Sequence, residues 1–171
     1  MKRVLSVLAF AAFAAAGARA ELFLESVSWQ RARAEKARVV VWEDAVALAD
    51  GPPKLDTRLR VRLILKNRGP KAAEGILLRY SMTGRVAPIV GAPAEGVWGV
   101  PFMVDEKRVP KVGPNKEQEV ILTLSPALEL YLVRIARSGW WPDRLKLQVM
   151  IEPHRGETAL MTNESTLEVS K

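Results

Sequence analysis

Residues 57–82, TRLRVRLILKNRGPKAAEGILLRYSM, constrain the fold more than any other stretch of the chain. Leu59, Val61, Leu63 and Leu65 alternate with Arg58, Arg60, Arg62 and Lys66. That period of two suits a strand and not a helix. Asn67-Arg68-Gly69-Pro70 follows, a cluster of turn formers. Ile76, Leu78, Tyr80 and Met82 then share one parity, with Arg79 and Ser81 on the other. Two strands with one apolar and one polar face each need a second layer over the apolar face.

The rest of the chain repeats this pattern. Residues 21–29 (ELFLESVSW) alternate loosely and predict a first strand, and 30–37 (QRARAEKA) a polar turn or bridge. Residues 38–42 (RVVVW) are β-branched and predict a strand that 43–48 continues or answers as a hairpin arm. Asp50-Gly51-Pro52-Pro53 stops regular structure. Residues 84–101 carry four glycines and three prolines among apolar side chains. They predict a long loop with at most a short or edge strand. Phe102-Met103-Val104 predicts a short strand, Gly113-Pro114-Asn115 a turn, and 117–124 (EQEVILTL) a strand. Ser125-Pro126 opens a helix over 126–137, with serine as N-cap and proline at the first helical position. Leu128, Tyr131, Leu132 and Ile135 form its buried face. Leu130 and Val133 lie off that face and predict cover on a second side. Gly139 is the stop. Residues 144–151 (RLKLQVMI) alternate cleanly, 153–157 turn, and 159–169 supply a last strand. The fold class is all-β: an Ig-like antiparallel β-sandwich of about seven to nine strands with one helix inserted near 126–137.

The first twenty residues stand apart. Lys2 and Arg3 precede an apolar run over 4–16, and Ala18-Arg19-Ala20 follows as a small-x-small site. This is the pattern of a secretory signal peptide. The run is short against the roughly 20 residues that span a bilayer, and no later segment is apolar enough to span one. The expected domains are a signal peptide at 1–20 and one sandwich at 21–171. Removing 20 of the 171 residues leaves 151, enough for one sizeable core. Losing Lys2, Arg3 and Arg19 takes the formal charge from +7 to +4. That mild, mixed balance suits an acidic polysaccharide, an anionic membrane surface or an acidic protein, and not a nucleic acid. There is no cysteine, which removes thiol chemistry and disulfides together.

Three pieces of the chain, in order, resemble the bacterial Ig-like sandwiches of the cell-adhesion-related type (CARDB), close to fibronectin type III modules. The first is Leu63-Ile64-Leu65-Lys66-Asn67-Arg68-Gly69 with Ala72 and Ala73. The second is Val112-Gly113-Pro114 before the strand at 119–124. The third is Val149-Met150-Ile151-Glu152-Pro153, then Glu157 and Asn163-Glu164. The resemblance covers 57–169. It departs at Glu152, where the family usually has aspartate, and at 126–141, where the family lacks a helix. It implies adhesion or ligand binding without catalysis, and no cofactor.

Chemistry has few candidates. His154 is the sole histidine, with Glu152 and Glu157 as its nearest acids in sequence. One histidine without cysteine does not make a transition-metal site. No Gly-x-Ser-x-Gly elbow, phosphate loop or Asp-rich calcium loop occurs. Glu43-Asp44 and Asp105-Glu106 are the carboxylate pairs, read as solvated turn acids. Aromatic residues are better binding candidates, because an exposed ring stacks on a sugar or anchors a protein. Trp98, Phe102, Tyr131, Trp140 and Trp141 cluster in the 84–103 loop and about the helix, whereas Trp29 and Trp42 are read as core. Arg60 and Arg62 should face Glu117 and Glu119 across one sheet, and Arg79 and Lys146 should make the outer face of the other sheet positive. These residues predict an exported, non-enzymatic module of the cell envelope. Its partner would be an envelope or extracellular protein or an acidic polysaccharide. The alternative is a subunit or periplasmic assembly chaperone of a surface or secretion structure, working by strand exchange. A hydrolase is the remaining reading.

Overall fold

The computed structural model describes residues 20–34, 40–48, 58–90, 95–124, 126–152 and 161–169. The signal-peptide run, the Ser125 cap, His154, Glu157 and the turns at 50–53 and 153–157 lie outside the described residues. The described chain forms ten strands and one helix. They are β1 (Leu22–Ala34), β2 (Val40–Asp44), β3 (Ala47–Leu48), β4 (Leu59–Asn67), β5 (Ala73–Pro88), β6 (Val97–Trp98), β7 (Met103–Val112), β8 (Glu117–Thr123), α1 (Ala127–Arg137), β9 (Trp140–Ile151) and β10 (Met161–Val169). One sheet has the order β2-β1-β4-β8; the other runs β3-β10-β9-β5-β6, with β7 also on β5. The protein is an all-β sandwich with one helix.

Period two decides what each strand buries. Along β4, Leu59, Val61, Leu63 and Leu65 are buried while Arg60, Arg62, Ile64 and Lys66 reach the surface side. Along β9, Leu145, Leu147, Val149 and Ile151 turn inward in the same way. These side chains meet those of β5, β8 and β10 in one apolar cluster between the sheets. Burial stabilises by about 1.5–3 kcal/mol for each large aliphatic side chain. The indole N–H of Trp29 donates to Ser165 Oγ at 2.9 Å and ties the two layers together through the core.

The pairing of β4 with β8, Leu63 opposite Val120, is the one expected of an Ig-type sandwich. Several elements differ from expectation. β1 runs straight through 30–34, because Gln30 is held by Asp44 and by Arg60 (2.9 and 2.8 Å) and so enters the sheet as a satisfied polar residue. β5 continues past Gly84 to Pro88, and β7 spans ten residues rather than three. β3 pairs with β10 in parallel, so the sandwich is not wholly antiparallel: the chain crosses from one sheet edge to the other without reversing. Trp42 is not core. It lies on the outer face of the first sheet beneath the Arg60 guanidinium, 4.1 Å from the ring centre.

The turns follow their chemistry. Asn67 Oδ1 accepts from the Gly69 N–H at 3.0 Å, an Asx turn that carries the chain from one sheet to the other. Asn115 takes a left-handed φ of 51° in the β7–β8 turn. Helix α1 begins at Ala127, with Pro126 one position before it and no side-chain cap from that residue. It ends at Ser138 and Gly139, whose φ of +80° costs a glycine nothing. Leu128 and Leu132 are buried, but Leu130 and Val133 are open to solvent, so the helix is covered on one side only.

Candidate functional site

The outer face of the larger sheet is assembled by alternation. β5 sends Arg79, Ser81, Thr83 and Arg85 outward, and β9 sends Arg144, Lys146, Gln148 and Met150 to the same side. Ser81 stands opposite Gln148 on one flank and Val104 on the other. Met150 stands opposite Thr162 of β10. Between them lies a groove of about 330 Å³ lined by Arg79, Ser81, Val104, Gln148, Met150 and Thr162. Val104 is 74 % exposed. A valine and a methionine at outward positions break the polar pattern of this face.

One end of the same face carries Trp98. β6 pairs with β5, Trp98 opposite Arg85, so its indole comes to the outward side. Lys146 Nζ sits 4.7 Å from the centre of that ring. Its ammonium is attracted by the ring face, and it has no carboxylate partner among the described residues. Beside it Arg85 grips Asp143 through two bonds of 2.8 and 2.7 Å. That fork holds the Arg85 guanidinium above its ordinary pKa, chiefly through the hydrogen bond to Asp143. The other end of the groove carries Arg79, paired with Glu152 at 2.9 Å.

The groove rests on Tyr80 and Val149, which face the core. The Tyr80 hydroxyl donates to Asp105 Oδ2 at 3.0 Å. Burial first, and the Asp105 carboxylate second, push its pKa up to about 12. Tyr80 therefore stays a neutral donor at any physiological pH.

The sequence-predicted residues divide four ways. Trp98, Lys146 and Arg79 share this outer face. Phe102 and Tyr131 stack on each other at the other side of the sheet, ring centres 4.1 Å apart and 12° from parallel. The Tyr131 ring lies over Gly84, where a Cβ would stand 2.3 Å from its oxygen; only glycine admits this approach. Burial raises the pKa of Tyr131. Trp141 belongs to the core and not to any surface, while its neighbour Trp140 is exposed. Successive strand residues point to opposite sides, so a Trp-Trp pair at the start of β9 cannot present both rings.

The charge pattern also differs from expectation. The outer face is not an unmatched positive surface: besides Arg79 with Glu152, Arg144 meets Glu168 at 3.0 Å and Lys111 meets Glu74 at 2.9 Å. On the smaller sheet Arg62 pairs with Glu119 as expected, but Glu117 is taken by Lys66, and Arg60 stands opposite Thr123. The two carboxylate pairs are on strands. Asp105 serves Tyr80 while Glu106 reaches Arg108, and Asp44 holds Gln30 while Glu43 reaches Arg31. Among the described residues, no three His, Asp or Glu side chains converge as a metal site would need. No helix among them is long and apolar enough to cross a membrane.

Ser81, Val104, Gln148, Met150 and Thr162 were not singled out from the sequence. The available signal was Met150, the apolar end of an otherwise polar outward series Arg144, Lys146, Gln148.

Neither a protein-family model nor a curated protein matches this sequence. Among solved structures, it is similar to a β-glucosidase from Erythrobacter marinus at 16% identity, TM-score 0.33, over 86% of this chain and 15% of that one. It is similar to a protein from Archaeoglobus fulgidus at 17% identity and TM-score 0.31, over 85% of this chain and 97% of that one. A β-glucosidase from Listeria innocua, in complex with glucose, aligns at 12% identity and TM-score 0.34 over 90% of this chain and 16% of that one. The chain thus spans about a sixth of the length of either glucosidase. At such scores the likeness transfers neither fold nor activity.

Proposed function

We propose that this chain is an exported, non-catalytic Ig-like binding module of the cell envelope, and that the outer face of the larger sheet is its contact surface. The observation that carries this is the groove, with Val104 and Met150 turned outward beside Trp98 and Lys146, an ammonium with no carboxylate partner among the described residues. An exposed apolar groove rimmed by polar side chains is what a protein partner desolvates and fills. The leader-like residues 1–20 support export, and the resemblance over 57–169 supports adhesion or ligand binding. The partner on this reading is an envelope or extracellular protein. A photocrosslinker at position 104 should give one saturable product in the envelope fraction, lost in Trp98→Ala. The same probe at position 62, on the opposite sheet, should give none. Equal labelling from both positions would sink the proposal, and saturable polysaccharide binding in its place would make the module lectin-like.

One edge favours a second reading, a subunit or assembly chaperone that works by strand addition. β2 is the last strand of its sheet, and Val40, Val41 and Trp42 have no strand on their outer side among the described residues. Two other outer strands are guarded by charge, with Glu117 and Glu119 on β8 and Glu106, Lys107, Arg108 and Lys111 on β7. Val40→Lys should abolish co-purification of a donor strand on this reading and leave crosslinking at 104 intact on the first.

A further inference from the structure

The uncovered side of α1 has a composition of its own. Leu130 and Val133 are 53 % and 48 % exposed. Arg134 and Arg137 stand beside them on the same stripe, since residues three and four apart share a helix face. Neither arginine has a carboxylate partner among the described residues. Arg62, Arg79, Arg85 and Arg144 on the sheets all do. The helix's one acid, Glu129, is in its first turn, at the far end from Arg137.

The stripe runs toward the helix C-terminus, where the chain turns into β9. Trp140 is 41 % exposed and pairs with Pro88. The Ile89 N–H bonds the Gly139 carbonyl at 2.9 Å, which brings the exposed Val90 alongside. One side of α1 therefore presents two aliphatic side chains and two guanidinium groups that lack a carboxylate partner among the described residues, and Trp140 and Val90 are exposed in the segments that meet at its C-terminal end.

We propose that this side of α1 docks on an anionic lipid surface. The outer side of a helix is convex. A bilayer interface yields to a protruding helix, whereas a protein partner would have to bring a matching groove with an acidic rim. Aliphatic side chains and a tryptophan partition into the headgroup boundary, and arginine meets lipid phosphate there without a fixed geometry. The surface is distinct from the groove on the larger sheet, so the inference does not depend on the reading of that groove.

The test is flotation of the purified chain without the leader-like residues 1–20, with phosphatidylcholine vesicles, with and without phosphatidylglycerol. Binding should require phosphatidylglycerol and weaken as salt rises. Arg134→Gln with Arg137→Gln should weaken it about 25-fold, roughly fivefold for each arginine near an anionic surface. Leu130→Ser with Val133→Ser should also weaken it, and Val104→Lys should not. Circular dichroism checks that the variants fold. The arginine variant removes no buried side chain, so it remains decisive if the serine variant is unstable. Failure to float, equal flotation with both vesicles, or anionic binding untouched by the arginine variant would overturn the proposal. So would capture of an acidic protein by this face in the absence of any vesicle binding.

Discussion

Asn67 is the most informative residue to perturb. It closes β4 on the inward parity of Leu63 and Leu65, is buried, and would be out of place there were it unsatisfied. Its Oδ1 accepts from the Glu21 and Gly69 N–H groups, both at 3.0 Å. Its Nδ2 donates to the carbonyls of Lys71 at 2.7 Å and of Val112 and Gly113 at 3.1 Å. One amide thus joins the start of β1, the crossover from β4 to β5 and the β7–β8 turn. A neutral hydrogen bond contributes about 1 kcal/mol net, and a buried group left unpaired costs about 1–3 kcal/mol. Two hydrogens shared among three carbonyls make fewer than five full bonds. Asn67→Ala should therefore cost about 3–5 kcal/mol, a large part of a total stability of about 5–15 kcal/mol. Asn67→Asp has nearly the same shape and keeps the acceptor. It sets a carboxylate against three carbonyls, so it should be at least as damaging at neutral pH. Burial among acceptors raises the folded pKa of that new carboxyl above its unfolded value. The lost stability should then return as pH falls through the carboxyl range, where the protonated group regains a donor. Urea unfolding followed by tryptophan fluorescence measures both. An Asn67→Asp variant within about 0.5 kcal/mol of wild type near pH 7 would refute the hub.

Leu63→Asp places an unpaired charge between Val27 and Val120 in the middle of the core and should abolish soluble expression; a normal soluble yield would contradict the core assignment. Tyr80 has a folded pKa of about 12 against an ordinary value of 10.0. The unfolded chain therefore loses this proton first, and the contribution of Tyr80 is complete below pH 10 and lost as pH rises toward 12. Wild type should lose about 2 kcal/mol more than Tyr80→Phe across that window; parallel curves for the two proteins would remove the assignment. Gly84→Ala drives a methyl into Tyr131 and should cost about 1–3 kcal/mol with loss of the Phe102–Tyr131 near-ultraviolet signal. In a Tyr131→Ala background the same change should cost far less; equal costs in the two backgrounds would mean the close approach is unimportant.

How much of this was legible depends on how far apart the interacting residues lie in the chain. Leu59, Val61, Leu63, Leu65, Ile76, Leu78, Tyr80, Val120, Leu122, Leu145, Leu147 and Val149 are all inward as their parity requires. Period two is a local property of the backbone, so strands and faces can be read residue by residue. The Asn-x-Gly turn and the Gly139 stop are local for the same reason. The partner of each strand is not local. Arg85 meets Asp143 across 58 positions and Trp29 meets Ser165 across 136. Nothing in the neighbourhood of either residue encodes those distances. Hence the outer face looked positive until Glu152 and Glu168 were placed beside Arg79 and Arg144. The two adjacent tryptophans at 140 and 141 parted only when β9 began one residue before the second of them. The sequence by itself determined an all-β chain, its inward residues and its stops. Which strands lie side by side, and so the groove between Arg79 and Thr162, was decided by burial summed over the whole core, because hydrophobic attraction is non-directional and selects partners only collectively.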